Sequence, residues 1–406
     1  MAAQAERPRQ AAAHRRLDAM LAEARGLESA PGIDARDADL RALPLVLYGA
    51  GPLARMTLSL LRRAGLTPVA VADGNPGRWG ADFEGYRISS PADAVRRFAS
   101  SARFIVTIYN GSTLRRELSR MGCTAVAHFA DLYFEHPAHF LPYCGLASRS
   151  TILDSREAVL HAATLWSDEQ SAREYLDQIA WRLRLGDAAL APADPPADCY
   201  FPRGIYRYLD DELLFDCGAF DGDSIRQFLA RRGAGGRPRI VAFEPDVDTY
   251  ARLGQFVASL SPESVGTVRI ERCAVAERSG EVRFAALGSV RSGVDDSADT
   301  RVRAIAIDDL DDRPSLIKMD VEGFELPALK GAARTIARHA PVLAISLYHH
   351  ASDLWTIPAY LEAAAPGHRL FLRRYAEDCW ELVLYAVPLG RLAQEDAPSD
   401  PTRAGT

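Results

Sequence analysis

The sequence predicts an α/β protein of two Rossmann-like, doubly wound units, the second a seven-stranded sheet ending in an antiparallel hairpin. Three observations predict it. Apolar runs end in glycine turns that open helices at 44–54 (PLVLYGAGPLA) and again at 213–223 (LLFDCGAFDGD). Behind each turn, short apolar runs alternate with stretches of helical period, the pattern of βαβ units and parallel strands. At 368–388 (HRLFLRRYAEDCWELVLYAVP) two apolar runs follow each other with no helix between them, which reads as a hairpin closing the sheet.

In the first unit, strands are expected at 44–48, 67–73 (ending at Asp73), 103–111 and 124–129, with helices MTLSLLRRAG and STLRRELSRMG between them. Residues 150–190 carry apolar positions at helical spacing (Val159, Leu160, Ala163, Leu165, then Leu176, Ile179, Leu183) and read as one or two helices. DAALAPADPPADCYFP (187–202), with four prolines, is the clearest linker. The second unit runs strand 213–216, helix SIRQFLARRG, strand IVAFEP, helix DTYARLGQFVASL and strand TVRIERCAVA. Strands EVRFAAL, VRAIAI and SLIKMD follow, then one helix ELPALKGAARTIARH, strand VLAISLYH, a helix near 353–365 and the hairpin. The organisation expected is a helical arm at 1–40 with a break at Pro31-Gly32, a Rossmann-like domain at 41–148, a helical connection and linker at 149–205, the second domain at 206–390, and a disordered tail at 391–406.

Bulk properties exclude several classes. The chain has 406 residues and a net charge of −6, with no basic footprint for nucleic acid. Its Arg-rich start includes Glu6 and Asp18 and lacks an apolar core, so neither a signal peptide nor a membrane anchor is expected. Cys123, Cys144, Cys199, Cys217, Cys273 and Cys379 form no CxxC pair, which favours reduced thiols and a cytoplasmic setting over disulfides or a zinc site. Of 48 basic residues two are lysine, Lys318 and Lys330. Lys318, two residues before Asp320, is therefore read as a position where a compact ammonium is required, against the plain alternative of codon bias.

The sign of charge on the second glycine turn is the chemical clue. A phosphate cradle offers backbone N–H groups and avoids acid. Here Asp216, Asp221 and Asp223 surround Gly218, Ala219 and Gly222, with Ser224 opening the helix. A ligand with a cationic centre, an ammonium group and a free ribose fits, and S-adenosyl-L-methionine has all three. Asp216 also reads as a helix N-cap.

DCGAFDGDS, AFEPD, IKMDVEGFE, SLYHH and the closing LRRY…ELVLYA, taken in order, resemble the FkbM family of methyltransferases, named after an enzyme that O-methylates a macrolide. The resemblance covers about residues 207–388 and implies a methyltransferase-type sheet. It implies that Asp216, Gly218 and Gly222 shape the turn around the methionyl part of the cofactor. The family's usual DVGAN-type turn is altered by Cys217 and Phe220, and Phe220 removes one side-chain hydrogen bond. It implies that Glu244, before Pro245 and 28 residues after Asp216, accepts hydrogen bonds from both ribose hydroxyls. It places Asp320, Glu322 and Gly323 where the methyl group points. A hydroxyl acceptor needs a base; the candidates are Asp320, Glu322, His349 and His350, with His349 first because a neutral imidazole takes a proton near pH 7. The alternative has Tyr348, His349 and His350 lining the pocket wall. A third reading, in which Asp320, Glu322 and His349 hold Mg2+, ranks lower because no complete ligand set is visible.

In the first unit, Gly49-Ala50-Gly51-Pro52-Leu53-Ala54 matches the G-x-G-x-x-A turn, with Asp73 24 residues after Gly49. Gly49, Gly51 and Asp73 are thus a second nucleotide site to weigh. Pro52 removes an N–H from the helix start. The order of expectation is a nucleotide or nucleotide-sugar module, then a purely structural one, then an NAD(P)-linked oxidoreductase. The leading function is an S-adenosylmethionine-dependent O-methyltransferase acting on a hydroxyl of a sugar, glycan precursor or related secondary metabolite. The alternative is a non-catalytic nucleotide-sugar or adenosylmethionine binding protein. The polar stretch 285–301 is expected to shape the acceptor pocket.

Overall fold

The computed structural model describes residues 2–28, 42–184, 190–232, 236–261, 265–285, 293–294 and 300–393. Pro31-Gly32, most of 285–301 and the tail beyond 393 lie outside them.

A long helix, α1 (Ala2–Glu28), precedes the first sheet, whose strands are β1 (Leu45–Tyr48), β2 (Ala70–Ala72), β5 (Arg103–Val106) and β6 (Ala125–His128). All run parallel in the order β2-β1-β5-β6, with a small hairpin of β3 (Asp82–Phe83) and β4 (Tyr86–Arg87) beside them. Side chains alternate across this sheet: Leu45, Leu47 and Ile105 belong to one core, Val46, Tyr48 and Phe104 to the other. Helix α2 (Pro52–Arg63), with proline at its first position, and α5 (Phe129–Glu135) cover the first face. Helices α3 (Pro91–Phe98), capped by Ser90, and α4 (Ser112–Arg120) cover the second. The short α6 (Pro137–Phe140) completes the unit.

The stretch read as one or two helices forms three: α7 (Arg149–Asp154), α8 (Arg156–Ala162) and α9 (Glu169–Leu183), broken at Ser155 and across 163–168. Ile152, Val159, Tyr175 and Ile179 share a core with Phe215, Ile317 and Ile345 of the second sheet, and Leu17 and Leu21 of α1 join it.

That second sheet contains β7 (Leu213–Cys217), β8 (Arg239–Phe243), β9 (Val268–Glu271), β14 (Leu316–Met319), β15 (Val342–Ser346), β16 (His368–Arg374) and β17 (Leu382–Pro388). Its order is β16-β17-β15-β14-β7-β8-β9, with β17 antiparallel to both neighbours and the rest parallel. Helices α10 (Asp223–Arg232) and α11 (Val247–Ala258) follow β7 and β8, and α14 (Asp353–Ala364) follows β15. Two expectations needed correcting. The run 267–276 is two strands, because the chain leaves β9 and enters β10 (Ala274–Val275) in a separate sheet with β11 (Gly280–Ala285), β12 (Gly293–Val294) and β13 (Arg301–Ile305). The helix expected at 325–339 is broken into α12 (Glu325–Lys330) and α13 (Ala333–His339). Between them Gly331 meets the Ala276 carbonyl so closely that a Cβ there would stand 2.0 Å from its oxygen.

The two units touch through the β16–β17 loop. Ser112 donates to Glu377 through N and Oγ, Glu377 N donates to Asn110, and Gln178 Nε2 donates to the Asp378 carbonyl. Trp380 stacks on Phe129 and meets Tyr109 edge-on.

Candidate active site

β7, β14 and β15 end side by side, as the crevice rule for parallel sheets expects. The turn after β7 is built on glycine. Gly218 has φ +79°, and a Cβ on it would lie 1.9 Å from the Asp320 carbonyl oxygen. Gly222 has φ +90° and lies against the Phe256 ring. Phe243 O receives both Gly218 N and Ala219 N, so the turn is tied to the neighbouring strand.

Asp216 is fully buried and pairs in register with Lys318 of β14. Lys318 Nζ stands 3.2 Å from Asp216 Oδ1 and donates to the Gly218 carbonyl at 2.6 Å; Ser224 Oγ donates to Asp216 Oδ2 at 2.5 Å. Burial opposes the charge on Lys318, but Asp216, Asp320 and Asp223 outweigh it and keep the ammonium protonated. The compact ammonium is thus held between the Asp216 carboxylate and the Gly218 carbonyl of the turn. Asp221 pairs with Arg226 at the surface, and Asp223 Oδ1 accepts from Ser224 N.

Glu244 reaches the same turn from β8. Its Oε2 accepts from Phe220 N at 2.9 Å, and its Oε1 accepts from Asp246 N and Thr249 Oγ1 at 2.9 and 2.7 Å. Three of about four lone-pair sites on a carboxylate are filled, leaving room for one further hydroxyl. Burial raises its pKa despite these donors. Pro245, partly exposed, follows it.

Beyond the turn lies a cluster of acids around His349. Asp320 accepts from Tyr200 Oη (3.0 Å), Ser346 Oγ (3.0 Å) and Tyr348 Oη (3.1 Å). Burial pushes its pKa up, but Lys318, His349 and these hydroxyls bring it below the ordinary value, so it is ionised. His349 Nδ1 lies 2.9 Å from Glu325 Oε1, and Nε2 lies 3.5 Å from both Asp320 Oδ1 and Glu322 Oε2. Burial opposes its charge, but the three carboxylates win and hold its pKa well above the ordinary value. Near pH 7 the ring without a bound metal is imidazolium, which changes the reason for placing the base there. Glu322, in the left-handed region at φ +53°, is pushed up to about 8, first by burial. His350 is exposed and turns to Asp353, with its ring over Gly323 (φ +93°).

Residues that sequence reasoning missed complete the cluster. Glu325 is buried and accepts from Val321 N. Tyr200 comes from the Pro-rich linker and lays its ring 5.2 Å from Lys318 Nζ. Glu381, from the β16–β17 loop, contacts Cys199, and burial pushes it up to about 7. The CYF run inside the linker was the one visible hint, an apolar cluster where a linker needs none.

Residues 216–378 match the methyltransferase FkbM domain. The matched residues lie inside the span of the sequence resemblance. A crystal structure of Methyltransferase FkbM from Methylobacillus flagellatus KT is similar over 91% of this chain and 98% of that chain, with a TM-score of 0.72 and 23% identity. The shared fold therefore extends over both units, well beyond the FkbM domain itself. A SAM-dependent methyltransferase from Aquifex aeolicus aligns over 54% of this chain and 98% of its own, with 16% identity and a TM-score of 0.28. Aeropyrum pernix fibrillarin, solved with natively bound S-adenosyl-L-methionine, aligns over 44% and 66%, with 14% identity and a TM-score of 0.26. No curated protein matches the chain. Among the described residues no helix is long and apolar enough to cross a membrane.

The glycine turn of the first unit is arranged differently from that of the second. Gly49 has φ +111° and packs against Thr107; Gly51 precedes α2. Asp73 Oδ2 accepts from Ala50 N at 2.8 Å and Oδ1 from Asn75 N at 2.8 Å, and Arg78 approaches Oδ2 at 3.4 Å. The carboxylate that would face a ribose is turned onto its own glycine loop.

Proposed function

We propose that the chain is an S-adenosylmethionine-dependent O-methyltransferase acting on a hydroxyl of a sugar, glycan precursor or related secondary metabolite. The observation that carries this reading is the charge of the cleft. Asp216 and Glu325 are buried and Asp320 partly so, Glu322 and Glu381 hold protons near neutral pH, and Lys318 and His349 already face carboxylates. Such a cleft favours a ligand that brings positive charge and disfavours phosphate.

Asp216, Gly218, Ala219 and Gly222 would hold the methionyl part, and Glu244 would anchor the ribose through its open lone pair. Asp221, Asp223 and Ser224 support the turn. Bound there, the cofactor supplies an electrophilic methyl group on a sulfonium. The protein's share is to orient the acceptor oxygen and remove its proton. Glu322 suits proton removal in its ionised form, which gains population as pH approaches about 8, since it is partly exposed and a base works best with a pKa close to the working pH. The hydroxyl preference follows the FkbM resemblance, and the sugar preference follows the company that such N-terminal Rossmann-like units keep. Cytoplasmic location is part of the same proposal.

A pH titration tests the charge argument. As pH rises from 6 to 9, Glu322 ionises and adds negative charge beside the sulfonium. Affinity for S-adenosylmethionine should then rise relative to S-adenosylhomocysteine by roughly tenfold, the scale of one pKa unit of interaction. The amino and carboxyl groups shared by both ligands cancel in that ratio. Calorimetry with a chelator present measures it; Glu322→Gln should flatten the trend, and a flat wild-type ratio would contradict the reading.

A further inference from the structure

Three side chains of the acid cluster converge in a way that ion pairing leaves unfinished. Ligand atoms of Asp320, Glu325 and His349 all lie within 4.8 Å of one another. Glu325 is 1% exposed and His349 7%. Yet Glu325 Oε2 and both ring nitrogens of His349 have no hydrogen-bond partner. The 2.9 Å approach of Nδ1 to Glu325 Oε1 is a charge contact without hydrogen-bond alignment. Buried polar atoms are seldom left without a partner, so three in one place call for an explanation.

The surroundings are those of a held ligand set. Asp320 is held by hydroxyls on both oxygens: Oδ1 accepts from Ser346 and Tyr348, Oδ2 from Tyr200 and, at 3.3 Å, from Tyr348, so an ion bound there would displace one of these donors. The separation of 3.5 Å between His349 Nε2 and Asp320 Oδ1 compares with roughly 3.4 Å for two donors on ~2.1 Å bonds to one tetrahedral ion. Glu325 sits on the first turn of α12 and carries the free oxygen Oε2.

We infer that Asp320, Glu325 and His349 bind a divalent transition-metal cation, of the Mn2+ or Zn2+ kind. The imidazole decides the class: Mg2+ prefers an all-oxygen shell, whereas two carboxylates and one imidazole suit Mn2+ and Zn2+. This departs from the Mg2+ reading of the sequence in both ion and ligands, since Glu325 takes the place given to Glu322. The ion replaces the proton that His349 otherwise holds. Its use, lowering the pKa of an acceptor hydroxyl as a Lewis acid, rests on the methyl-transfer reading; its binding does not.

The test is calorimetric titration of the chelator-stripped, full-length chain with MnCl2, ZnSO4 and MgCl2, each variant being titrated in parallel with S-adenosylhomocysteine. The expected result is one Mn2+ or Zn2+ per chain and much weaker Mg2+. His349→Ala should weaken Mn2+ binding by more than about a hundredfold, since even an orienting partner is worth about ten- to a hundredfold. Should His349→Ala fail to fold, the isosteric Asp320→Asn supplies the same comparison. Wild-type protein that takes up neither Mn2+ nor Zn2+ up to about 1 mM would overturn the inference, as would a His349→Ala variant that binds like wild type. Failure to bind S-adenosylhomocysteine while Mn2+ still binds would count against the cofactor reading alone.

Discussion

Lys318→Met is expected to cost about 3–5 kcal/mol of stability, the penalty for leaving a buried carboxylate without its partner. Asp216 is 0% exposed and Lys318 2%, so neither charge has water to fall back on. The substitution also strips the Gly218 carbonyl of its 2.6 Å donor. For a unit of this size the loss reads as a melting temperature lower by roughly 6–20 °C. The control is the double variant Asp216→Asn with Lys318→Met. Removing both charges should recover most of the loss, because the cost lies in the orphaned charge and a buried pair adds little net stability. The sign with pH is fixed as well. In Lys318→Met the lone Asp216 has a folded pKa raised above its unfolded value of about 3.9. The deficit is therefore small below that value and grows as pH rises through it. Equal melting temperatures for wild type and Lys318→Met across this range would contradict the pairing.

Gly218→Ala is the second large effect, and it separates cofactor binding from the base chemistry. Two costs coincide at this position. A left-handed φ of +79° costs an alanine ~1–2 kcal/mol, and forcing a methyl group into a filled space costs ~1–3 kcal/mol more. The obstacle is the backbone oxygen of Asp320, which cannot rotate away as a side chain would. The turn must open, and with it the spacing between β7 and β14. Affinity for S-adenosylhomocysteine should fall at least about a hundredfold, the equivalent of some 2.7 kcal/mol. Gly254→Ala makes the contrast, since a Cβ there meets Ile270 at an ordinary 3.7 Å. Comparable affinities for wild type and Gly218→Ala would show that the ligand does not depend on this turn.

How much was legible in the sequence differs by residue. The glycine turn and the strand-end acids could be read because each motif is local: an apolar run of four or five residues, then carboxylates and glycines. The resemblance through DCGAFDGDS and IKMDVEGFE rested on the same local runs. What could not be read depends on register and on chain segments far apart. Lys318 faces Asp216 because β14 pairs in register with β7, and nothing in LIKMD states that register. Tyr200 and Glu381 reach Asp320's surroundings from a linker and a hairpin loop. Glu325 opens the expected helix ELPALKGAARTIARH, and nothing in that run marks its carboxylate as buried. The close approach at Gly331, where α12 and α13 part, was hidden because it is made by the carbonyl of Ala276, just past β10 and far away in sequence. Asp73 looked like a ribose anchor, yet its oxygens are occupied by Ala50 N and Asn75 N. That occupation depends on how the loop closes, which spacing alone does not specify.

The most direct measurement is calorimetric titration of the purified chain with S-adenosylhomocysteine, wild type beside Glu244→Gln. The account predicts binding near micromolar for wild type. It predicts a loss of about ten- to a hundredfold for Glu244→Gln, the worth of one hydrogen bond to a charged group. A wild-type chain that binds no S-adenosylhomocysteine would contradict the account at its centre, and binding that ignores Glu244→Gln would move the ribose away from β8.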